Sequence, residues 1–227
     1  MGSIERMVVL ANSRKSGGWC IAGRAIDAAS KPGCWLRPVV SQVADGLPHA
    51  RTCCVDGAPA KVLDLIDVEL ERPVPHAHQR ENRLLGKGPW KRCGRAYWNT
   101  LAGLAGSMND RLWTDGFSSR CGHNDQVPVA LLDQMRGSLQ FIRTASLRLY
   151  FAPNALGQRK LRGAFSHAGR AYTLPVTDPV AWAALNGSEQ LTLSDTYLCI
   201  SLGVPFNGYA YKLVASVITE HRVRAAA

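Results

Sequence analysis

Residues 196–219 read TYLCISLGVPFNGYAYKLVASVIT, two apolar runs on either side of a turn-forming segment. The runs are rich in Val, Ile, Leu and Tyr, a composition typical of β-strands. The separating residues 203–208, GVPFNG, contain the Gly, Pro and Asn that mark turns. The stretch therefore predicts two strands, near Thr196–Leu202 and Tyr209–Thr219.

The same pattern of short apolar or alternating runs extends over the rest of the chain. Further strands are predicted near Met7–Asn12, Trp19–Ile26, Cys34–Val39, Leu63–Glu71, Ser138–Phe151, Lys160–His167 and Arg170–Pro175. Short helices are predicted over Trp98–Leu104, Pro128–Gln134 and Asp178–Leu185. The last has an Asp N-cap followed by Pro, and an Asn-Gly stop. The segment Pro73–Asp125 has little periodicity, and we interpret it as a long connection.

This distribution of strands predicts a mainly β fold in two halves. We expect two OB-like small barrels packed together with a few short helices. Residues 1–125 would form the first OB-like barrel plus the long connection, and residues 126–227 the second barrel. A single larger β-sandwich is the alternative.

Charge along the chain is strongly polarised. The 27 Lys and Arg residues outnumber the 17 Asp and Glu residues, which leaves a net charge of +10. No carboxylate lies between Asp133 and Asp178, where the cations are Arg136, Arg143, Arg148, Arg159, Lys160, Arg162 and Arg170. Such a stretch favours a polyanionic partner. A protein merely kept soluble by its charge is the alternative.

The cysteines and the apolar runs bear on location. The seven cysteines are odd in number and include no C-x-x-C pair, so we interpret them as reduced thiols. Cys121-Gly122-His123 offers only two zinc ligands, so no metal site is predicted there. No apolar run has the length of a signal-peptide core or a membrane span. We therefore expect a cytoplasmic location and no membrane partner.

Several short motifs follow one another in a fixed order. They are 11–23 (ANSRKSGGWCIAG), 35–38 (WLRP), 78–82 (HQREN), 201–205 (SLGVP) and 211–215 (YKLVA). Together they resemble the bacterial dual OB-containing domain family over nearly the whole chain. The resemblance implies two OB-like barrels that recognise nucleic acid or a nucleotide-derived ligand, in a bacterial conflict or defence system. It implies no established reaction, and the positions that match the family pattern are Asn12, Arg14, Lys15, Gln79, Glu81, Asn82 and Lys212.

The chemistry of these positions suggests how they would act. Arg14 and Lys15 stand in a Gly-rich turn that could direct both cations onto one phosphate, and Lys212 also suits phosphate. The amides of Gln79 and Asn82 match the edges of bases. The alternative, which the sequence supports equally well, is an ordinary hairpin turn whose Arg14 and Lys15 side chains are solvated. Glu81 could instead pair with Arg80 or Lys212 and fix the connection.

Two further clusters interleave aromatic rings with cations. One contains Trp90, Lys91 and Arg92, followed by Arg95, Tyr97 and Trp98; the other contains Arg159, Lys160, Arg162, Phe165 and Tyr172. Single-stranded nucleic acid is bound by such mixtures, since rings stack on bases and cations follow the backbone. The alternative is that the large rings are core anchors.

These observations predict a nucleic-acid-binding module for single-stranded or structured DNA or RNA. No catalytic residue and no cofactor are predicted, because nucleophile elbows and phosphate-binding loops are missing from the sequence. One alternative is a sensor that holds a nucleotide-like small molecule between the barrels. The other is a metal-dependent enzyme acting on nucleic acid, with His76, His78 and Glu81 around a divalent ion.

Overall fold

β-Strands make up most of the computed structural model, which describes residues 2–15, 18–41, 46–154, 156–185 and 187–224. The chain divides into two units, the first extending to Leu104 and the second beginning at Ala105. This division precedes the one expected at residues 125 and 126, and it places 105–125 with the second unit. None of the helices within the described ranges is long and apolar enough to cross a membrane.

The first unit contains strands β1 to β6. Their bounds are β1 Ser3–Lys15, β2 Gly18–Ile26, β3 Pro32–Val39, β4 Asp64–Pro73, β5 Asn82–Leu85 and β6 Lys91–Arg95. Short 3-10 helices cover His49–Thr52 and Trp98–Gly103. Burial alternates strictly along β4, where Ile66, Val68 and Leu70 face the interior. This alternation is the period of a strand with one buried face.

These strands close into a barrel. β1 pairs antiparallel with β2 along one edge and with β4 along the other. β3 pairs in parallel with β5, and β5 pairs antiparallel with β4, so the closed order is β1-β2-β3-β5-β4-β1. β6 adds to the edge of β4. The order is that of a five-stranded Greek-key barrel of the OB type.

A bulge bends β1 so that it can contact both neighbours. The register with β2 shifts between Val9 and Ala11, and a bulge of this kind increases local twist. Gly23 lies opposite Val9, and a Cβ on it would come within 2.0 Å of the Val8 carbonyl oxygen. The close approach of the two backbones therefore requires glycine. Apolar side chains fill the barrel: Met7, Val9, Ile21, Leu36, Leu47, Ile66, Val68, Leu70, Leu85 and Trp90.

The second unit contains strands β7 to β12 and two helices. The strands are β7 Gln126–Pro128, β8 Leu139–Pro153, β9 Arg159–His167, β10 Arg170–Pro175, β11 Gln190–Leu202 and β12 Tyr209–Ile218. Helix α1 is Pro179–Ala184 and helix α2 is Glu220–Arg224. Its interior includes Leu147, Leu149, Leu161, Phe165, Tyr172, Leu198 and Ile200.

The strand order of the first unit is repeated in the second. β8 pairs antiparallel with both β9 and β11, β9 pairs with β10, and β11 pairs with β12. A single parallel bridge from Val176 to Val214 joins the end of β10 to β12. The order β8-β9-β10-β12-β11-β8 therefore matches β1-β2-β3-β5-β4-β1. The third and fifth strands pair over fewer residues in the second unit than in the first.

Helix α1 connects the third and fourth strands of this barrel. Asp178 caps it, since its Oδ1 accepts a hydrogen bond of 2.9 Å from the Val180 backbone N–H, with Pro179 at the first helical turn. Asp178 Oδ2 also accepts from the Val217 N–H at 2.8 Å and from Arg222 at 2.5 Å. One buried carboxylate thus ties α1 to β12 and α2.

Most of the predicted elements are confirmed. Each predicted strand is present, and the predicted helix at Asp178–Leu185 is α1. The helices predicted at Trp98–Leu104 and Pro128–Gln134 are 3-10 turns. The prediction of a long connection over Pro73–Asp125 is wrong in part, because β5 and β6 lie within this segment. These strands have 4 and 5 residues, which is too short to show a period.

Candidate nucleic-acid interface

The predicted binding residues of the Gly-rich turn do not share one surface. Asn12 is half-buried and points inward, where its Nδ2 donates a hydrogen bond of 2.7 Å to the Ala60 carbonyl oxygen. Arg14 is exposed. Lys15 ends β1, and its side chain lies outside the described part of the structure, as do residues 16 and 17. Of the described side chains, only Arg14 is at the surface of this turn.

Arg14 belongs to an aromatic cluster at one end of the first barrel. It lies opposite Trp19 in the β1–β2 ladder, and its guanidinium carbon is 5.2 Å from the centre of the indole ring. The His49 ring lies 6.3 Å from the Trp19 ring, tilted by 48°. Trp19 is half-buried, whereas Arg14 and His49 are exposed. We name Arg14, Trp19 and His49 the Trp19 cluster.

The HQREN motif forms a buried turn between β4 and β5. His76 and Gln79 exchange backbone hydrogen bonds, and the side chains of Gln79 and Asn82 are buried. Glu81 pairs with Arg37 of the WLRP motif at 2.9 Å, a partner that the sequence did not suggest. The amide edges of Gln79 and Asn82 are therefore turned into the protein and are not presented at the surface.

The same contact bears on the alternative metal site. Glu81 is held by Arg37, and His78 is buried beside it in the motif. Among the residues that the structure describes, no group of three or more His, Cys, Asp or Glu side chains is placed to hold a metal ion.

The cluster around Trp90 is largely part of the barrel. Trp90 is 1 % exposed and packs in the core, so its ring has no face on which a base could stack. Arg92 and Arg95 each bond the fully buried Asp64, at 2.9 Å, and Arg92 also contacts Asp56. Lys91 is exposed. Two of the three cations of this cluster, Arg92 and Arg95, are thus paired with carboxylates of the protein itself.

Phe165 and Lys212, predicted binding residues of the second unit, are also buried. Phe165 stacks on Tyr172 inside the barrel, with ring centres 5.5 Å apart. Lys212 is 0 % exposed, and its Nζ donates a hydrogen bond of 2.5 Å to the Thr114 carbonyl oxygen. Asp115 lies 3.9 Å from the same ammonium group and accepts a hydrogen bond from Tyr172. Neither Phe165 nor Lys212 can meet a ligand at the surface.

Burial has an electrostatic consequence for Lys212. Loss of water lowers its pKa from 10.5 to about 8, although Asp115 and Asp125 act in the opposite direction. The same loss of water raises the pKa of Tyr172, and its hydrogen bond to Asp115 adds to the effect. The contacts of Lys212 with Thr114 and Asp115 join β12 to segment 105–125.

A partly exposed aromatic cluster lies where β8 ends and β9 begins. The guanidinium carbon of Arg159 is 3.9 Å from the centre of the Phe151 ring. Trp182, on α1, meets Phe151 edge to face with ring centres 4.8 Å apart, and it is 46 % exposed. Glu189 pairs with Arg159 at 2.9 Å. We name Phe151, Arg159 and Trp182 the Phe151 cluster.

A basic face lies on the outer side of the β8–β9 sheet, opposite to the inner side on which Phe151 packs against the core. Because Leu147, Leu149 and Leu161 face the core, the alternating residues Arg148, Tyr150 and Lys160 face outward. The Arg148 guanidinium lies over the Tyr150 ring at 5.0 Å. We name Arg148, Tyr150 and Lys160 the basic face.

The cross-strand partners of the basic face carry no negative charge. They are Ala152, Ala164, Arg162, Gln190 and Thr192. Arg162 also points outward but is buried, and its Nε has no hydrogen-bond partner among the described residues. An anion that approaches this face meets cations without competing carboxylates in the ladder.

A model of the dual OB-containing domain matches residues 5–217, a range that includes both barrels. The chain belongs to the dual OB-containing domain family. The family agrees with the repeated five-strand order and confirms the two-barrel fold expected from the motifs. A search of curated proteins gave no match to this dual OB domain.

Four aromatic residues of these clusters were not predicted as binding residues: the exposed His49 and Trp182, and the half-buried Trp19 and Phe151. One signal was present for Trp182. In α1, Ala181 and Leu185 are buried, four positions apart, so an intervening Trp182 must point elsewhere. The contact of His49 with Trp19 could not be predicted, because it joins a strand to a 3-10 helix from a distant segment.

Proposed function

We propose that this dual OB domain binds single-stranded DNA or RNA through the Phe151 cluster and the basic face. The observation that carries the proposal is the exposed Trp182 in contact with Phe151, whose ring also meets Arg159. The outer side of the same β8–β9 hairpin carries Arg148, Tyr150 and Lys160. Single-strand-binding sites combine aromatic rings, on which bases stack, with cations that follow the phosphates. The position of Phe151 and Arg159 also fits, since they lie on either side of the loop between the first and second strands, which is one of the loops that OB folds use.

Among the predicted binding residues, the exposed ones support this proposal. Arg159 and Lys160 lie in β9, the second strand of the barrel. Arg159 covers one face of Phe151, so its guanidinium can contact a phosphate while the free face of Trp182 stacks on a base. Arg14 and Lys91 are exposed in the first unit.

The proposal is tested by fluorescence anisotropy with labelled single-stranded DNA and RNA. Each stacked base contributes about 1–3 kcal/mol, so Trp182→Ala should weaken binding roughly 5- to 100-fold. Val180→Ala on the same helix is the matched control, because Val180 is exposed to the same degree but has no ring. Lys160→Gln should reduce the slope of log K against log salt by about 0.7.

Two results would contradict this function. If the protein binds no strand at either low or physiological salt, the proposed function is wrong. If wild type and Trp182→Ala bind with equal affinity, the Phe151 cluster is not part of the binding site. A mononucleotide that competes as well as a strand would instead support the small-ligand alternative, since a strand gains contacts with its length.

The cellular setting is a separate proposal. All seven cysteines are free thiols, which supports a reducing, cytoplasmic compartment. The role in a bacterial conflict or defence system rests on the family resemblance. Reduced resistance to phage in a host strain that carries Trp182→Ala at normal protein level would support it, and unchanged resistance would oppose it.

A further inference from the structure

The Trp19 cluster and the Phe151 cluster occupy equivalent places in the two barrels. β1 and β2 correspond to β8 and β9 in the repeated strand order. Each cluster lies where the first strand of its barrel ends and the second begins. Arg14 and Trp19 come from β1 and β2, and Phe151 and Arg159 come from β8 and β9.

The two clusters contain the same kind of pair with its members exchanged. In the first barrel the first strand supplies the arginine and the second strand supplies the ring, 5.2 Å apart. In the second barrel the first strand supplies the ring and the second strand supplies the arginine, 3.9 Å apart. The chemistry presented at the end of each hairpin is therefore the same, although the residues that supply it do not align.

A second ring completes each cluster, and it comes from an equivalent connection. His49 lies in the 3-10 helix between β3 and β4, and Trp182 lies in α1 between β10 and β11. Both connect the third and fourth strands of their barrels. His49 is 6.3 Å from Trp19, and Trp182 is 4.8 Å from Phe151. Two unlike segments have thus placed an exposed ring against the hairpin pair.

From this equivalence we infer that the Trp19 cluster is a second single-strand site, so that one chain holds two short strands, one in each barrel. The inference rests on the proposed function of the Phe151 cluster. Arg14 makes no ion pair within the described part of the chain, whereas Arg159 is paired with Glu189. The ligand class is therefore the same, a base stacked on a ring with its phosphate near a guanidinium.

The number of strands bound per chain tests the inference. Isothermal titration and native mass spectrometry of the full chain with a strand of about six nucleotides, within the site size of one OB fold, should give two strands per chain. Trp182→Ala and Trp19→Ala should each leave one strand, and the double variant none. Because Trp19 is half-buried, Arg14→Gln provides an exposed alternative, which should weaken one of the two sites severalfold.

The possible failures are distinguishable. A single strand per wild-type chain that Trp182→Ala removes and Arg14→Gln leaves unchanged would overturn the second site and keep the proposed function. A single strand that either variant removes would show one composite site and also overturn the inference. No strand bound by the wild type would contradict the proposed function itself.

Discussion

The guanidinium of Arg37 lies 2.9 Å from the carboxylate of Glu81, and both side chains are almost fully buried, with 5 % and 4 % of their surface exposed. Asn82 accepts a further, longer contact of 3.4 Å from the same guanidinium. The pair joins β3 to the turn before β5, which are the strands that close the first barrel in parallel. Two family motifs that are far apart in sequence thus meet in one structural contact.

Removal of one partner of this pair should destabilise the first barrel. Glu81→Gln leaves the Arg37 charge buried without its carboxylate, which costs about 3–5 kcal/mol. Urea unfolding followed by tryptophan fluorescence measures the loss. Glu220→Gln, which removes an exposed carboxylate, should change the free energy of unfolding by less than about 1 kcal/mol. Equal effects of the two variants would contradict the structural role.

Lys212 should make the stability of the second barrel depend on pH. Its pKa is 10.5 when unfolded and about 8 when folded. Between these values the unfolded chain binds a proton that the folded chain has released, so the free energy of unfolding rises with pH. Relative to Lys212→Met, wild type should therefore gain about 2–3 kcal/mol between pH 7.5 and pH 10. A difference that is constant over this range would exclude a lowered pKa.

Removal of the Glu189 carboxylate should strengthen binding. Glu189 is exposed and pairs with Arg159, so it would compete with a phosphate that approaches this guanidinium. An exposed ion pair contributes up to about 1 kcal/mol, so Glu189→Gln should tighten binding of a single strand by up to roughly fivefold. Asp195→Asn removes another exposed carboxylate, the partner of Arg143, and provides the control. Unchanged or weaker binding by Glu189→Gln would argue against contact between phosphate and Arg159.

Gly23→Ala should destabilise the first barrel because of the bulge in β1. The new methyl group would lie 2.0 Å from the Val8 carbonyl oxygen, so the two strands must separate. Overpacking of this kind costs about 1–3 kcal/mol, measured by chemical denaturation. Gly103→Ala is the matched control, since nothing lies within 4 Å of its added Cβ. A neutral Gly23→Ala would show that β1 and β2 can move apart freely.

The extent to which the sequence predicts this molecule differs between fold and site. Long strands such as β8 and β12 show their period along the chain and could be predicted. The sequence does not predict whether a polar residue of a motif faces solvent. Lys212 and Asn82, for example, are buried by segments that are distant in sequence. Trp90 and Phe165 were ambiguous from the start, because a large ring next to cations suits both a core and a surface.

Because each barrel is made from one continuous stretch of chain, synthesis can finish the first before the second exists. All strands from β1 to β6 precede residue 96, and domains generally fold as units, the N-terminal one first, while the ribosome is still working. Closure of the second barrel must await β12, near the end of the chain. A nascent chain that stalls before β11 would therefore hold one completed barrel and a β8–β9–β10 sheet. The outer edges of β8 and β10 would lack their partner strands, and such open edges promote aggregation.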